Sequence, residues 1–187
     1  MRKVILFNMI SLDGLFCGPN GDLEWHRVDD EFNDFAIQQL DSAGALVFGR
    51  VTYEMMAAFW SSEYALQTDP DVARRMNAMP KIVASRTLES AGWNNTRLVK
   101  TDISAEIFRL KQQEGGDLFV FGSANLAATL IRDGLIDEYR LMVNPVVLGA
   151  GRALFEGLDQ PLEFELSWSR VFNNGNVLLV YRAGGGR

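Results

Sequence analysis

The sequence predicts an α/β domain with a mostly parallel central sheet that ends in an antiparallel hairpin. Short apolar runs of strand length recur along the chain and alternate with longer stretches of helical spacing, as is typical of α/β domains. The runs are apolar at nearly every position, which indicates strands covered on both faces. Near the C-terminus this pattern changes to strict alternation of apolar and polar residues, which indicates an antiparallel ribbon.

The composition fits one ordinary folded domain. The chain has 187 residues, of which 48% are hydrophobic and 22% are charged, close to the averages for soluble globular chains. We expect a single domain over residues 1–182. The Gly-rich stretch 183–187 has no large apolar side chain to bury, so we expect a flexible tail there.

Charge and the rarest residue types exclude several function classes. The 24 acidic and 18 basic side chains give a net charge of −6, whereas nucleic-acid binding usually requires a basic surface. Single Cys17 and His26 allow no internal disulfide and no His-based metal cluster, which favours a reducing cytoplasm. Asn8 interrupts the N-terminal apolar run too early for a signal peptide, and no later run is long enough for a membrane helix.

The apolar runs give the predicted strands, which are Val4–Ile10, Ala45–Phe48, Lys81–Ser85, Arg97–Lys100, Asp117–Phe121 and Tyr139–Val147. Helical spacing predicts crossover helices around residues 32–40, 103–110 and 126–131. Asp102 and Ser104 are the two candidate N-caps of the second helix. Gly134 is placed to end the third helix in the left-handed conformation.

The C-terminal ribbon is predicted from two runs around an Asn-Gly pair. Leu162, Phe164, Leu166 and Trp168 alternate with polar residues, and a second run follows at Val177–Tyr181. Asn174-Gly175 between them predicts a hairpin with a type I′ turn, in which both central residues have positive φ.

Three predicted strands end in a small residue followed by a polar helix or loop start, at Gly49-Arg50, Ser85-Arg86 and Gly122-Ser123. In open α/β sheets, ligands bind beyond the carboxyl ends of strands, and helix N-termini there attract phosphates. Arg50 and Arg86 add planar donors suited to phosphate oxygens. The sequence therefore predicts an anion-binding cleft, although no segment matches the Rossmann fingerprint or a P-loop.

The long loop Ser11–Trp25 precedes the first helix and is of the kind that forms lids or binding loops. The helix start then carries four carboxylates, Asp29, Asp30, Glu31 and Asp34. Such carboxylates usually complement the helix dipole from the surface. One that shares the inward face with Phe32 and Phe35 would be a candidate for chemistry.

Several segments resemble dihydrofolate reductases. Gly18–Trp25 with Glu31-Phe32 and Phe35 resembles their active-site loop and helix. Their three cofactor turns, for the pyrophosphate, the adenosine 2′-phosphate and the Gly-Gly turn, are matched by Phe48–Tyr53, Ser85–Thr87 and Gly122–Ala124.

Across nearly the whole chain, the resemblance is closer to the reductase domain of bacterial bifunctional riboflavin biosynthesis proteins and its stand-alone relatives. It is carried by Ser11–Gly14, Lys81–Thr87, Gly134–Arg140 and Pro145–Gly151. This resemblance implies the dihydrofolate reductase-like three-layer α/β/α fold. It also implies a homodimer, because relatives commonly dimerise.

Two departures disfavour dihydrofolate as the substrate. Met79 stands where dihydrofolate reductases have the arginine that holds the folate carboxylate, and Leu141–Asn144 lacks their threonine. A carboxylate without that clamp would lose a charged hydrogen bond. A third departure concerns the cofactor: Ser123 replaces the second glycine of the Gly-Gly turn, and its Cβ restricts close backbone approach.

The resemblance implies an NADPH-dependent reductase of a small heterocycle, similar to 5-amino-6-(5-phosphoribosylamino)uracil reductase. The alternatives are a dihydrofolate or pteridine reductase-like enzyme and a dinucleotide-binding module without turnover, because fold does not fix function. We expect a small-molecule substrate and no metal, nucleic-acid or membrane partner.

The same resemblance implies the site residues. NADPH would be held by Ile10, Cys17, Gly49, Arg50, Thr52, Ser85, Arg86, Thr87, Gly122, Ser123 and Ala124. Asn8 would bind the substrate, and Phe35 would stack on its ring. Glu31 is the candidate catalytic residue, because a carboxyl group in a partly apolar cleft would have its pKa raised toward a useful range.

Overall fold

The computed structural model describes residues 1–184. Its strands are β1 (Val4–Ile10), β2 (Leu15–Cys17), β3 (Ala43–Gly49), β4 (Lys81–Ala84), β5 (Thr96–Val99), β6 (Asp117–Phe121), β7 (Glu138–Val143), β8 (Arg152–Ala153), β9 (Phe164–Val171) and β10 (Val177–Ala183). Its helices are α1 (Asp30–Ser42), α2 (Arg50–Trp60), α3 (Glu63–Thr68), α4 (Pro70–Ala78), α5 (Ile103–Lys111) and α6 (Ala124–Arg132).

The main sheet has eight strands in the order β5-β4-β3-β6-β1-β7-β10-β9. The first six of these strands pair in parallel, and β10 pairs antiparallel with both β7 and β9. The predicted α/β class, the mostly parallel sheet and the C-terminal antiparallel hairpin are confirmed. Because parallel strands share a direction, the carboxyl ends of β1, β3, β4 and β6 lie along one edge of the sheet.

Both faces of the sheet are covered, which explains the continuously apolar strands. Successive side chains of a strand point to opposite faces. Along β1, Val4 and Leu6 pack in one cluster with Ile107 of α5 and Leu130 of α6. Ile5 of β1 packs in a second cluster on the other face, with residues of α1, α2 and α4.

Two strands, one helix N-cap and one left-handed glycine lie where the sequence predicts them, whereas β7 is shorter. The bounds of β1 and β6 match the prediction at both ends, and Asp102 is the N-cap of α5, accepting from the Ala105 amide at 2.9 Å. Gly134 has the expected left-handed φ of 63°. β7 is shorter than predicted because the chain turns at Asn144, and the following Pro145 has no amide hydrogen for a strand ladder.

The predicted type I′ turn of the hairpin is wrong. Gly175 has a φ of 88°, but Asn174 is not among the positive-φ residues that the structure describes. The loop has three residues, Asn173–Gly175, closed by a 2.9 Å bond from the Phe172 amide to the Asn176 carbonyl. Asn174 Oδ1 accepts from the Asn176 amide at 3.0 Å. This bond between a side chain and the backbone stabilises a three-residue loop instead of the predicted two-residue type I′ turn.

At the C-terminus, β10 continues through Ala183, and the Gly184 amide donates to the Glu163 carbonyl at 2.8 Å. The first two residues of the expected tail therefore continue the hairpin, and residues 185–187 lie outside the described part of the chain. Across residues 1–184, no helix has the length and apolar character needed to cross a membrane.

Candidate functional site

The N-termini of two helices meet at the carboxyl edge of the sheet. α2 begins directly after Gly49 of β3, and α6 begins directly after Ser123, which follows the neighbouring strand β6. The Ser123 hydroxyl accepts from the Gly49 amide at 2.9 Å and donates to Thr52 Oγ1 at 2.8 Å. A single side chain thus ties the two helix starts together.

Neither of these helix starts has a side-chain cap among the described residues. By contrast, Asp29 caps α1 and Asp102 caps α5 by accepting backbone amides. The first amides of a helix have no partner inside the helix, and together with the helix dipole they attract anions. Two uncapped N-termini therefore adjoin at the strand ends where the sequence predicts an anion-binding cleft.

The backbone before α6 is in an unusual conformation. Gly122 and Ser123 both have a φ of 60°, a region that non-glycine residues rarely occupy. A Cβ at Gly122 would come within about 3.0 Å of Thr52 Oγ1. The two hydrogen bonds of Ser123 hold it in this conformation, so the serine that replaces the second glycine is compatible with the turn. Strain of this kind is concentrated at functional sites.

Asn8 supplies a buried acceptor beside this surface. Its side chain is 4% exposed, and its Oδ1 has no hydrogen-bond partner within residues 1–184. By strand alternation it lies on the same face of β1 as Leu6, the face that α6 covers. A buried polar atom without a partner is costly, and Asn176 Oδ1 and His26 Nε2 are in the same condition near α1.

The Ser85–Thr87 turn follows β4, the next strand along the edge. Ser85 Oγ accepts from the Thr87 and Leu88 amides at 3.2 and 2.9 Å, which fixes the turn. Arg86 lies exposed at its tip. Arg50 is also exposed, but it pairs with Glu54 at 2.9 Å, so part of its charge is neutralised.

The loop Ser11–Trp25 contains a short strand that the sequence did not reveal. β2 pairs antiparallel with β8 and so anchors the loop to the segment after β7. Cys17 is buried there, and burial raises the pKa of its thiol. Asp13 accepts from the Leu148 and Gly149 amides. Hydrogen bonds from Ser11 and Gly149 lower the pKa of Asp13 to about 2.

Glu31 lies in a fully paired environment, and the predicted rise in its pKa is wrong. Its Oε2 accepts from the Asn173 amide at 2.8 Å, and its Oε1 accepts from Arg170 Nη2 at 2.7 Å. These two donors stabilise the charged form and lower the pKa of Glu31. The carboxylate therefore joins α1 to the C-terminal hairpin.

Phe35, predicted to stack on the substrate ring, is covered by protein in this structure. Its side chain is 5% exposed, and its ring lies 6.0 Å from that of Phe7 and 5.6 Å from that of Phe172. Aromatic rings at these distances stabilise one another. Phe121, at the end of β6, joins the cluster through Phe7 at 5.7 Å.

Beside this cluster, buried amides hold the chain that leads into α1. Asn144 Oδ1 accepts from the Arg27 amide at 2.9 Å, and Asn176 Nδ2 donates to the Arg27 carbonyl at 2.9 Å. Sequence analysis missed both asparagines. Their signal was weak, because Asn in a turn is ordinarily explained by the turn itself.

The sheet order and the two helix layers define a dihydrofolate reductase-like α/β fold. Within that class, the chain belongs to the RibD C-terminal domain family, whose model matches residues 2–178.

The chain is similar to one further protein in sequence and to two solved structures in fold. The chain is 31% identical to Uncharacterized protein YyaP of Bacillus subtilis (strain 168), over 98% of this chain and 96% of that protein. Its fold matches a diaminohydroxyphosphoribosylaminopyrimidine deaminase/5-amino-6-(5-phosphoribosylamino)uracil reductase from Thermotoga maritima, with a TM-score of 0.70, 15% identity, and 98% and 57% of the two chains covered. It also matches Enterococcus faecalis dihydrofolate reductase complexed with NADP(H) and RAB-propyl, with a TM-score of 0.64, 17% identity, and 98% and 97% covered.

Proposed function

We propose that this protein is an NADPH-dependent oxidoreductase that reduces a small heterocycle. The observation that carries the proposal is the pair of uncapped N-termini of α2 and α6, joined by Ser123. Membership of a family of reductase domains supports it, and so does the fold shared with a dihydrofolate reductase that binds NADP(H).

The residues at this edge fit a phosphate-rich dinucleotide. The free amides of α2 and α6 would hold the diphosphate, and Arg86 on its fixed turn would hold a 2′-phosphate. The unpartnered Oδ1 of Asn8 fits a ligand that brings an N–H donor into the buried end of the cleft. By resemblance, Ile10 and Cys17 would border the nicotinamide.

A reduced nicotinamide, when bound, supplies a hydride to the substrate. The chain contributes binding, orientation and exclusion of water. Gly122 and Ser123 fix the position of the α6 amides, and the paired strands β2 and β8 cover the neighbouring edge. Both oxygens of Glu31 already accept hydrogen bonds, so the proposal gives this residue no proton to transfer.

The proposed substrate is a heterocycle similar to 5-amino-6-(5-phosphoribosylamino)uracil. Dihydrofolate remains disfavoured, because Met79 packs against an apolar cluster where the folate carboxylate would need a cation. The second candidate function is a dinucleotide-binding module without turnover. The closed contact between Phe7 and Phe35 favours it, since the ring expected to stack on a substrate is covered.

Two measurements test the proposal. Fluorescence titration with NADPH and NADH should show binding of both, with NADPH the tighter ligand. NADPH oxidation should then appear with at least one member of a panel of pyrimidine, pteridine and quinone acceptors. Binding without oxidation across the panel would favour the module, and absence of any dinucleotide binding would exclude both candidates.

A further inference from the structure

We propose that Arg152 is a further diphosphate-binding residue of this cleft, and that it reaches the anion by giving up its ion pair with Glu156. The inference rests on the proposed function for the identity of the dinucleotide.

The backbone of Arg152 is fixed against the loop that precedes α1. Arg152 lies opposite Cys17 in the pairing of β8 with β2. Gly151 passes so close to the Cys17 carbonyl that a Cβ there would clash with it. The close approach holds this part of β8 at the carboxyl edge of the sheet.

The guanidinium group of Arg152 lies at the first turn of α6. Its Nη2 donates to Asn125 Oδ1 at 3.3 Å, and Asn125 is the second residue of that helix. Its central carbon lies 5.7 Å from the centre of the Phe16 ring in β2. The planar cation is thus positioned beside the free amides that the diphosphate would use.

The partner of Arg152 is one that a phosphate can replace. Arg152 pairs with Glu156, and both side chains are almost half exposed, at 47% and 42%. Exposed ion pairs contribute little to stability, whereas a guanidinium group can bind phosphate oxygens through two parallel hydrogen bonds. Exchanging a solvated carboxylate for a diphosphate on uncapped helix ends is therefore favourable.

Asn8 gives an independent indication that a ligand occupies this part of the cleft. Its unpartnered Oδ1 is buried on the face of the sheet that α6 covers, so it lies on the same side as Asn125 and Arg152. The start of α6 therefore has two neighbours suited to a ligand. One is the buried Oδ1 of Asn8, and the other is Arg152, whose ion pair with Glu156 is exposed.

The test compares dissociation constants for NADPH, NADH and inorganic pyrophosphate. Arg152→Ala should weaken all three by about 10- to 100-fold, the range for a charge-assisted hydrogen bond. Arg152→Gln keeps a donor for Asn125 but removes the charge, so it should lose nearly as much and guards against a folding defect. Glu156→Gln should tighten binding, because it removes the competing carboxylate. Arg132→Ala is the matched control, because Arg132 lies at the other end of α6 and donates to the Gly157 carbonyl.

Unchanged affinity for all three ligands in both Arg152 variants would overturn the inference. Arg152-dependent binding of pyrophosphate without binding of either dinucleotide would support the inference while the proposed function fails. A wild-type protein that binds none of the three would contradict both.

Discussion

Two regions at the carboxyl edge of one sheet differ in how their charged groups and helix ends are paired. Within residues 1–184, the starts of α2 and α6 have no side-chain cap, and the side-chain Oδ1 of Asn8 has no hydrogen-bond partner. Near α1, Glu31 is paired with Arg170 and Asn173, and Asn144 is bonded to the Arg27 amide. The first region leaves helix ends without side-chain caps, whereas the second pairs its charged groups, although Asn176 Oδ1 and His26 Nε2 there also lack a partner within residues 1–184.

The difference shows that conspicuous charge and free hydrogen-bonding groups lie in different places in this fold. Glu31 and Arg170 are conspicuous in the sequence, yet they neutralise each other across α1 and β9. Gly49 and Ser123 carry no charge, yet they sit where two helix dipoles converge.

The largest expected effect on NADPH affinity comes from a substitution that displaces the start of α6. In Gly122→Val, a branched side chain would adopt a left-handed φ and press on Thr52, which shifts the start of α6. We expect NADPH affinity to fall by at least about 100-fold, because several amides would lose their alignment together. Fluorescence titration measures the loss, and circular dichroism checks the fold.

Gly92→Ala is the matched control, because a Cβ at Gly92 would meet only open space. Its NADPH affinity should equal that of wild type. Wild-type affinity in a folded Gly122→Val protein would place the ligand elsewhere on the molecule.

A smaller and more selective effect is expected at Arg86. Arg86→Ala should cost about 1.5–3 kcal/mol of NADPH binding free energy, the range for a charge-assisted hydrogen bond, and far less for NADH. Only NADPH carries the 2′-phosphate. Arg74→Ala provides a control, because Arg74 is exposed and paired with Asp71 on α4. Equal losses for both dinucleotides would separate Arg86 from the 2′-phosphate.

The fold was predictable where burial is continuous and local. β1 and β6 match their predicted bounds because every residue of an interior strand contacts a helix layer. Asp102 was a predictable cap because its partner lies three residues away. The helix starts after β3 and β6 were predictable for the same local reason, since a small residue and a helix start are adjacent in sequence.

The features that could not be predicted are contacts between residues far apart in the sequence. The pairing of Leu15–Cys17 with Arg152–Ala153 leaves no periodicity, because strands of three and two residues are too short to show one. The environment of Glu31 was mistaken because Arg170 lies 139 residues further along the chain. The neighbouring apolar residues suggest a desolvated carboxylate, but Arg170 neutralises it and the Asn173 amide donates a hydrogen bond to it.

At the start of α1, Glu31→Gln should change turnover less than about threefold with whichever acceptor is found, because both oxygens of Glu31 are paired. The lowered pKa keeps Glu31 charged above pH 5, so it should contribute no titration to the turnover profile between pH 5 and 9. Single-turnover measurements across that range test this, with Asp30→Asn as the control. A loss of about 10²–10⁴-fold would instead assign Glu31 general acid–base catalysis.

The smallest effect is expected from His26, which should influence stability but not binding. Burial lowers the pKa of His26 to about 4 from its usual 6.5. Between these values the unfolded chain binds more protons than the folded one, so the free energy of unfolding falls as the pH decreases from 6.5 toward 4. In His26→Leu this contribution is absent. The variant's thermal midpoint should therefore fall by a few degrees less than that of wild type over the same range.

NADPH affinity at pH 7 should be equal in the two proteins, because the imidazole lies against Trp25 in the loop before α1. A parallel decline of both midpoints would show that His26 takes up its proton without cost in the folded state, and the loop would then be more open than its packing indicates.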